Sequence, residues 1–244
     1  MILLRSLAFQ AVFIGWTLLL GPFFVPLMLL PRRVFARLCA VWACGAIAIA
    51  RHVAGIRYEL RGRENLPAGP VIVASKHQSA YETLLLYLLF PDCCYVLKRE
   101  LFRIPFVGWY LWRVGMVGID RGGKARAMIS MLNRVRDRAA AGRSIIIFPQ
   151  GTRTAPGASA KYLPGVAGIY QSAAVPAVPV ALNSGLVWPR NSFTRRPGTV
   201  IVQFLPPIEP GLDRRDVLRR LEAAIEPATA ALEAEGRAAM AARM

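Results

Sequence analysis

Two residues in this sequence are spaced for acid–base chemistry. His77 and Glu82 stand in the stretch Ser75-Lys76-His77-Gln78-Ser79-Ala80-Tyr81-Glu82. An imidazole beside a carboxylate is general-base equipment, because the carboxylate fixes the tautomer and stabilises the imidazolium formed on proton uptake. Along a regular helix five residues turn through about 500°, which would splay the two side chains by roughly 140°. They meet only if His77 lies ahead of the helix. Ser79 is a good N-cap and places it there. Ser79 to Glu82 also reads as a capping box, in which Glu82 satisfies backbone N–H groups instead. Spacing leaves both roles open. His52, the only other histidine, follows Arg51 and has no such neighbours.

Two more constellations lie downstream. Gly115-Met116-Val117-Gly118-Ile119-Asp120-Arg121-Gly122-Gly123 reads as a strand ending in Asp-Arg-Gly-Gly. Arg121 beside flexible backbone suits bidentate phosphate binding; a plain surface turn is the alternative. Phe148-Pro149-Gln150-Gly151-Thr152-Arg153 opens from a buried strand into a turn. Arg153, Thr152 and the Gly151 N–H suit an anion site, against an ordinary polar turn. In Val175-Pro176-Ala177-Val178-Pro179-Val180, two prolines bracket an apolar run. That pattern predicts an edge strand or a kinked strand start. Val175, Pro176 and Pro179 are candidates for one wall of an acyl groove, or simply core.

The elements around these residues alternate. Strands are predicted at Ile56–Leu60, Val71–Ala74, Cys94–Leu97, Met116–Ile119, Ser144–Phe148, Val178–Leu182 and Thr199–Phe204. Val71–Ala74 is wholly apolar, as strands buried on both faces are, and Ser144–Phe148 is the clearest buried strand. Helices are predicted at Ser79–Phe90, Pro105–Arg113 and Lys124–Ala141. Another starts at Asp213 and breaks at Pro227, with a second piece to the C-terminus. Residues 149–164 form a long Gly/Pro/Thr loop, a length that is usually functional or disordered. The pattern gives an α/β domain at residues 56–244, a mixed sheet flanked by helices, with each candidate site at a strand end.

Residues 1–55 differ. Ser6 to Leu30 carries no charge, and Leu38–Ala50 is a second apolar run between Arg37 and Arg51. Gly21, Pro22 and Pro26 argue against a straight helix in the first run, and the second is too short to span a bilayer. Arg32, Arg33 and Arg37 lie between the runs. Arg51, Arg57, Arg61 and Arg63 follow them. A spanning hairpin would put the first cluster outside, against the positive-inside rule. A shallow hairpin in the cytoplasmic leaflet keeps every arginine on one side, as does a single spanning helix with its N-terminus outside. The hairpin is preferred. A cleaved signal peptide fits worse, since the run is too long and lacks a small-residue cleavage site.

Composition agrees. The 244-residue chain is 55% apolar, with 31 Lys+Arg against 14 Asp+Glu, a net charge of +17, and mean hydropathy +0.40. Such a balance points to nucleic acid or an anionic membrane surface. No nucleic-acid signature accompanies the apolar leader, so anionic lipids are the expected partner. Cys39, Cys44, Cys93 and Cys94 have poor spacing for disulfides and no metal-ligand pattern, so buried inert thiols and no metal are expected.

In order and spacing, these blocks resemble the 1-acyl-glycerol-3-phosphate acyltransferase family of the glycerolipid acyltransferases, from about Arg57 to Phe204. Linking stretches match too: Gly62-Arg63-Glu64-Asn65-Leu66-Pro67, Lys98-Arg99-Glu100-Leu101 and Ile104-Pro105-Phe106-Val107-Gly108. The resemblance implies a glycerol-3-phosphate acyltransferase-like fold behind an N-terminal helical hairpin seated in one leaflet. It implies a membrane enzyme at the cytoplasmic face of the inner membrane that makes phosphatidic acid. His77 would deprotonate the free sn-2 hydroxyl of the lysophospholipid acceptor, oriented by Glu82. The oxygen would attack an acyl-CoA or acyl carrier protein thioester directly, with no cofactor. Arg121 and Arg153 would hold the phosphate, with Lys98, Gly151 and Thr152 nearby. Two positions depart from the family: Glu82 stands where Asp is usual, and Gln150 where Glu is usual. Those departures keep two other readings open, a different lysolipid acceptor such as a lyso-ornithine lipid, and a basic membrane-binding homologue without activity.

Overall fold

The computed structural model of the protein describes residues 2–120 and 125–242. Two helices lead the chain, α1 (Ile2–Leu27) and α2 (Arg32–His52), packed against each other as a hairpin. The alternating part follows: β1 (Ile56–Arg61), β2 (Ile72–Ser75), α3 (Tyr81–Leu89), β3 (Cys94–Lys98), α4 (Val107–Arg113), β4 (Val117–Ile119), α5 (Ala125–Ala140), β5 (Ile145–Ile147), α6 (Gly165–Ala173), β6 (Ala177–Leu182), β7 (Gly198–Phe204) and α7 (Arg214–Ala241).

The seven strands form one mixed sheet in the order β1-β7-β6-β2-β5-β3-β4. The strands from β6 to β4 run parallel, β7 is antiparallel to β6, and β1 is parallel to β7. Alternation along each strand feeds two cores. Val73, Ile146, Val178 and Val180 face α1 to α4, while Ile72, Ala74, Ile145 and Ile147 face α5 to α7. Both faces of β2 and β5 are therefore covered, which is why neither strand carries a polar residue before its end.

Three expectations fail for identifiable reasons. α1 runs unbroken through Pro22 and Pro26. The domain holds this stretch from outside: the Tyr110 hydroxyl donates to the Gly21 carbonyl, and Phe24 packs against Phe35 and Tyr110. α7 likewise continues through Pro227, held by packing of Val217, Leu221 and Ile225 on the sheet. β6 is a central strand, not an edge. Pro179 is tolerated there because the pairing shifts by one residue between Ala177↔Ile208 and Val180↔Phe204, a bulge where one ladder N–H is dispensable. The short helix α6 has no capping signal and carries glycines, so sequence pattern missed it.

The leader is fastened to the domain along its length. Ser6 Oγ accepts the Arg195 N–H at 2.8 Å. Phe9 meets the Trp188 ring edge-on at 5.0 Å. Arg195 stacks over Trp188 at 4.5 Å, and burial lowers its guanidinium to about 10. At the other end Arg113 donates from Nε to the Met28 carbonyl at 2.6 Å. Between the helices, Trp16 Nε1 donates to the Trp42 carbonyl at 3.0 Å. A Cβ on Gly45 would collide with the Trp16 ring, so only glycine permits this approach.

Arg143 closes the other end of the sheet. It is buried, and its guanidinium donates to the carbonyls of Asp92 (2.9 Å), Cys93 (2.8 Å), Val114 (3.0 Å) and Gly115 (3.3 Å). The neighbouring Cys93 and Cys94 thiols are buried and raised in pKa by desolvation, so they are poor nucleophiles. All four cysteines are free. Arg143→Ala strands the carbonyls of Asp92, Cys93 and Val114, while Gly115 keeps the Arg138 Nε donor at 3.2 Å, and is expected to cost about 3 kcal/mol or more. Arg143→Lys should recover less than half of that, because one ammonium cannot reproduce the fork. Thermal unfolding in detergent reads both; an unchanged melting temperature for Arg143→Ala would refute this account.

Candidate active site

Because β6, β2, β5, β3 and β4 are parallel, their carboxyl ends share one edge of the sheet. His77 follows β2, Ser184 follows β6, residues 148–153 follow β5, Lys98 ends β3 and Asp120 follows β4. With strands about 4.8 Å apart, β3 lies roughly 10 Å and β4 roughly 14 Å from β2.

The backbone reverses between Lys76 and Ala80, and Ala80 already has helical angles. His77 thus lies ahead of α3 and folds back over its first turn. Its Nδ1 sits 2.8 Å from Glu82 Oε1. The same oxygen accepts the N–H groups of Gln78 and Ser79, both at 2.7 Å. Oε2 accepts Ser184 Oγ at 2.7 Å. Glu82 is fully buried. The N-cap of α3 is Ala80 and not the expected Ser79, and Glu82 binds the N–H groups of the preceding connection together with the histidine. An acceptor already serving three donors takes a proton-bearing Nδ1 as its fourth, which leaves the lone pair on Nε2.

The rest of His77 is fixed as well. Its ring stacks on Phe148 at 3.9 Å with 15° between planes. Its N–H donates to Gln150 Oε1 at 3.2 Å, and its carbonyl accepts the Thr154 N–H at 2.8 Å. The side chain remains 15% exposed.

Behind His77 is a polar layer that sequence reasoning missed. Gln150 Nε2 donates to Glu226 Oε1 at 3.1 Å. Tyr162 donates to the same oxygen at 2.9 Å, with burial and the carboxylate holding its phenol far above the usual range. Lys76, almost wholly buried, pairs with Glu226 Oε2 at 2.6 Å. Gln78 Nε2 reaches Glu233 at 2.7 Å. Glu226 and Glu233 both come from α7, the helix that was expected to break between them. The only signals in the sequence were a lysine in a buried context and two acids on one helix face.

The predicted anion residues divide. Lys98 is exposed at the end of β3, beside Ile119 of β4. Arg153 and Thr152 are half-buried on the β5 loop, and Arg190 Nη1 donates to Thr152 Oγ1 at 3.2 Å and to the Arg153 carbonyl at 2.7 Å. Arg190 is thus a further cation at this loop. The Gly151 N–H is donated to the Phe148 carbonyl at 2.8 Å, so Gly151 supplies a turn at φ +64° rather than an anion donor. Arg121 lies outside the described residues. Val175 and Pro176 precede β6, at the opposite edge from His77, and Pro179 is buried in mid-sheet level with Ala74. The structure does not bring these three to the site. Among the described residues no cluster of His, Cys, Asp and Glu could hold a metal.

An imidazole fixed through Nδ1 and its ring, at the sheet edge that also carries Lys98 and Arg153, is equipped to activate a hydroxyl for group transfer. The Acyltransferase family profile matches residues 57–183. A 1-acyl-sn-glycerol-3-phosphate acyltransferase of Pseudomonas aeruginosa is 37% identical over 184 residues, covering 75% of this chain and 72% of that protein. The 1-acyl-sn-glycerol-3-phosphate acyltransferase alpha of Mus musculus is 31% identical over 173 residues, covering 69% of this chain and 61% of that protein. The crystal structure of the LPA acyltransferase PlsC from Thermotoga maritima shares the fold, with a TM-score of 0.74 at 22% identity over 95% of each chain. The chain belongs to the acyltransferase family.

The Gln150–Glu226 contact yields a test. Gln150→Glu sets two carboxylates against each other, which Lys76 only partly offsets, and is expected to cost roughly 1–3 kcal/mol. The exchanged pair Gln150→Glu/Glu226→Gln restores one acid and one amide and should regain most of that loss. If the double variant melts no higher than Gln150→Glu, the contact does not set stability.

Proposed function

We propose that the protein acylates the free sn-2 hydroxyl of 1-acyl-glycerol-3-phosphate from an acyl-CoA or acyl carrier protein thioester, giving phosphatidic acid. His77 Nε2 takes the hydroxyl proton as the oxygen bonds to the thioester carbonyl carbon. The tetrahedral adduct then expels the thiolate, which takes the proton back from the imidazolium. No acyl-enzyme forms. Glu82 holds the tautomer and balances the imidazolium charge. The observation that carries this reading is the 2.8 Å contact between His77 Nδ1 and the buried Glu82 carboxylate, on a histidine that follows β2 at the carboxyl edge of the sheet.

The acceptor phosphate belongs on the β5–β3–β4 side of His77. Arg153, Lys98 and Arg121 are assigned to it, and Arg190, which grips the Arg153 loop, joins them. One arginine or lysine supplies charge; two or more on separate loops fix both ends of the phosphate and favour a phosphate-bearing lysolipid over one without it.

The membrane is reached through the leader, at the cytoplasmic face. Each of α1 and α2 is long and apolar enough to cross a bilayer, by length and composition alone. The domain, however, grips α1 from Ser6 to Met28, a stretch of roughly 33 Å, which exceeds a hydrocarbon core of about 30 Å. A spanning α1 would carry the domain packed between these points, Trp188 against Phe9 and Phe13 included, into the hydrocarbon. The hairpin therefore lies in one leaflet, with the exposed row Leu3, Leu7, Ile14 and Leu18 toward lipid.

The test is transfer by the detergent-purified protein from acyl-CoA or acyl carrier protein thioester to a panel of lysolipids. Lysophosphatidic acid should be preferred, and no transfer to any acceptor would refute the reading. His77→Ala should lower kcat/KM by about a hundredfold or more. Glu82→Gln should lower kcat by about tenfold or more while leaving KM for the acceptor near the parent value. A Glu82→Gln protein that melts early but keeps its kcat would leave Glu82 only its role at the N–H groups of Gln78 and Ser79.

A further inference from the structure

The segment between β3 and β4 has no part in the chemistry above, yet it is the most apolar exposed stretch outside the leader. Leu101, Ile104, Phe106, Val107, Trp109 and Trp112 are all exposed, Trp109 by 48% and Trp112 by 70%. A monomeric surface seldom leaves so many large apolar groups together without a use. Two backbone features hold them out. Phe106 has φ +61° and ψ −59°, with the Val107 N–H bonded to the Pro105 carbonyl at 2.7 Å. That is a γ-turn of the rare, strained hand. Gly108 follows, where a Cβ would collide with the Phe102 carbonyl. The outcome is an aromatic stripe, Phe106, Trp109 and Trp112, at three-residue spacing. Phe106 and Trp109 meet at 5.2 Å.

We infer that this segment is a second lipid-contacting element, an aromatic platform that enters the headgroup region of an anionic bilayer beside the hairpin. The inference rests on the reading of the hairpin as membrane-seated. Continuity is the first argument. Tyr110 bonds the Gly21 carbonyl, Arg113 bonds the carbonyls of Met28 and Leu30, and Met28 lines one apolar cleft of about 330 Å³ with Phe102, Gly108, Trp109 and Trp112. Leu29, at the hairpin turn, is 91% exposed. The platform therefore extends the apolar surface of the leader without a gap. Charge is the second argument. Lys98, Arg99 and Arg103 flank the platform, and Arg33 and Arg37 are exposed on the adjoining start of α2. The acids nearby are Glu100, Asp92, which is paired with Arg32, and Asp120, which is paired with Arg99. Tryptophan above apolar contact and beneath a basic rim is the composition of a membrane interface.

The experiment uses the full chain bound to phosphatidylcholine–phosphatidylglycerol vesicles, with and without brominated acyl chains. Trp109→Phe/Trp112→Phe keeps the apolar volume, and the emission it loses relative to wild type belongs to these two indoles. That difference emission should be blue-shifted on vesicles and lose at least about half its intensity with brominated chains. Trp112→Phe alone gives the same reading if the double variant melts lower. Difference emission that stays red-shifted and unquenched overturns the platform while leaving the hairpin in place. Emission that is blue-shifted but unquenched also overturns it, pointing to a protein covering the stripe. Wild-type protein that fails to sediment with vesicles overturns the hairpin reading, and the platform with it.

Discussion

A carboxylate with no solvent contact has to be surrounded by donors, because an unpaired buried charge costs several kcal/mol. Glu82 meets that demand with four: the N–H groups of Gln78 and Ser79, the Ser184 hydroxyl and His77 Nδ1. The donors come from the β2–α3 connection and from the end of β6, so a single side chain fixes the start of a helix, the pose of a histidine and the spacing of two strands. The identity of the residue follows from this geometry. One oxygen turns back to the connection while the other extends to Ser184 across the sheet edge.

The same logic operates one layer deeper. Gln150 accepts from the His77 N–H and donates to Glu226, so its amide is a two-way link that an ionised acid could not provide. The negative charge of this layer stands instead on Glu226, where Lys76 neutralises it and Tyr162 adds a donor. The absence of an acid at position 150 is therefore accommodated by a carboxylate from α7. His77 is held by its ring, its N–H, its carbonyl and Nδ1, which leaves translation of the imidazole little freedom. That preorganisation is what a general base needs, since its effect depends on being placed before the proton moves.

Much of this arrangement was legible because it is local. The strands carry short apolar runs, and the turns after β2, β4 and β5 announce themselves by Gly, Pro and charge. Parallel order then places the turns on one edge. What was not legible depends on partners far along the chain. Nothing near Ser184 indicates that it will meet Glu82, and Glu226 sits immediately before the proline that was expected to end its helix. Proline rules describe the cost to a backbone, not what surrounds it. Pro22 lies where Tyr110 reaches the neighbouring carbonyl, Pro179 where the ladder bulges, and Pro227 where the sheet grips the helix on both sides. The Gly151 N–H was misassigned for the opposite reason: a glycine turn suggests free donors, but this one closes on Phe148.

The segment from Asn183 to Arg196 joins the chemistry to the leader. At one end Ser184 bonds Glu82. In the middle Trp188 packs against Phe9, Phe13 and Tyr81, and Arg190 grips the β5 loop. At the far end Arg195 shares hydrogen bonds with Ser6 of α1. Helix α1 and the Glu82 carboxylate that bonds His77 are thus separated by only a few packed side chains. A lysolipid is anchored by its chain and reacts at its glycerol, so an enzyme acting on it must hold the base at a fixed height above the bilayer. Fastening the leader at both ends, rather than tethering it by a flexible linker, sets that height through the fold itself.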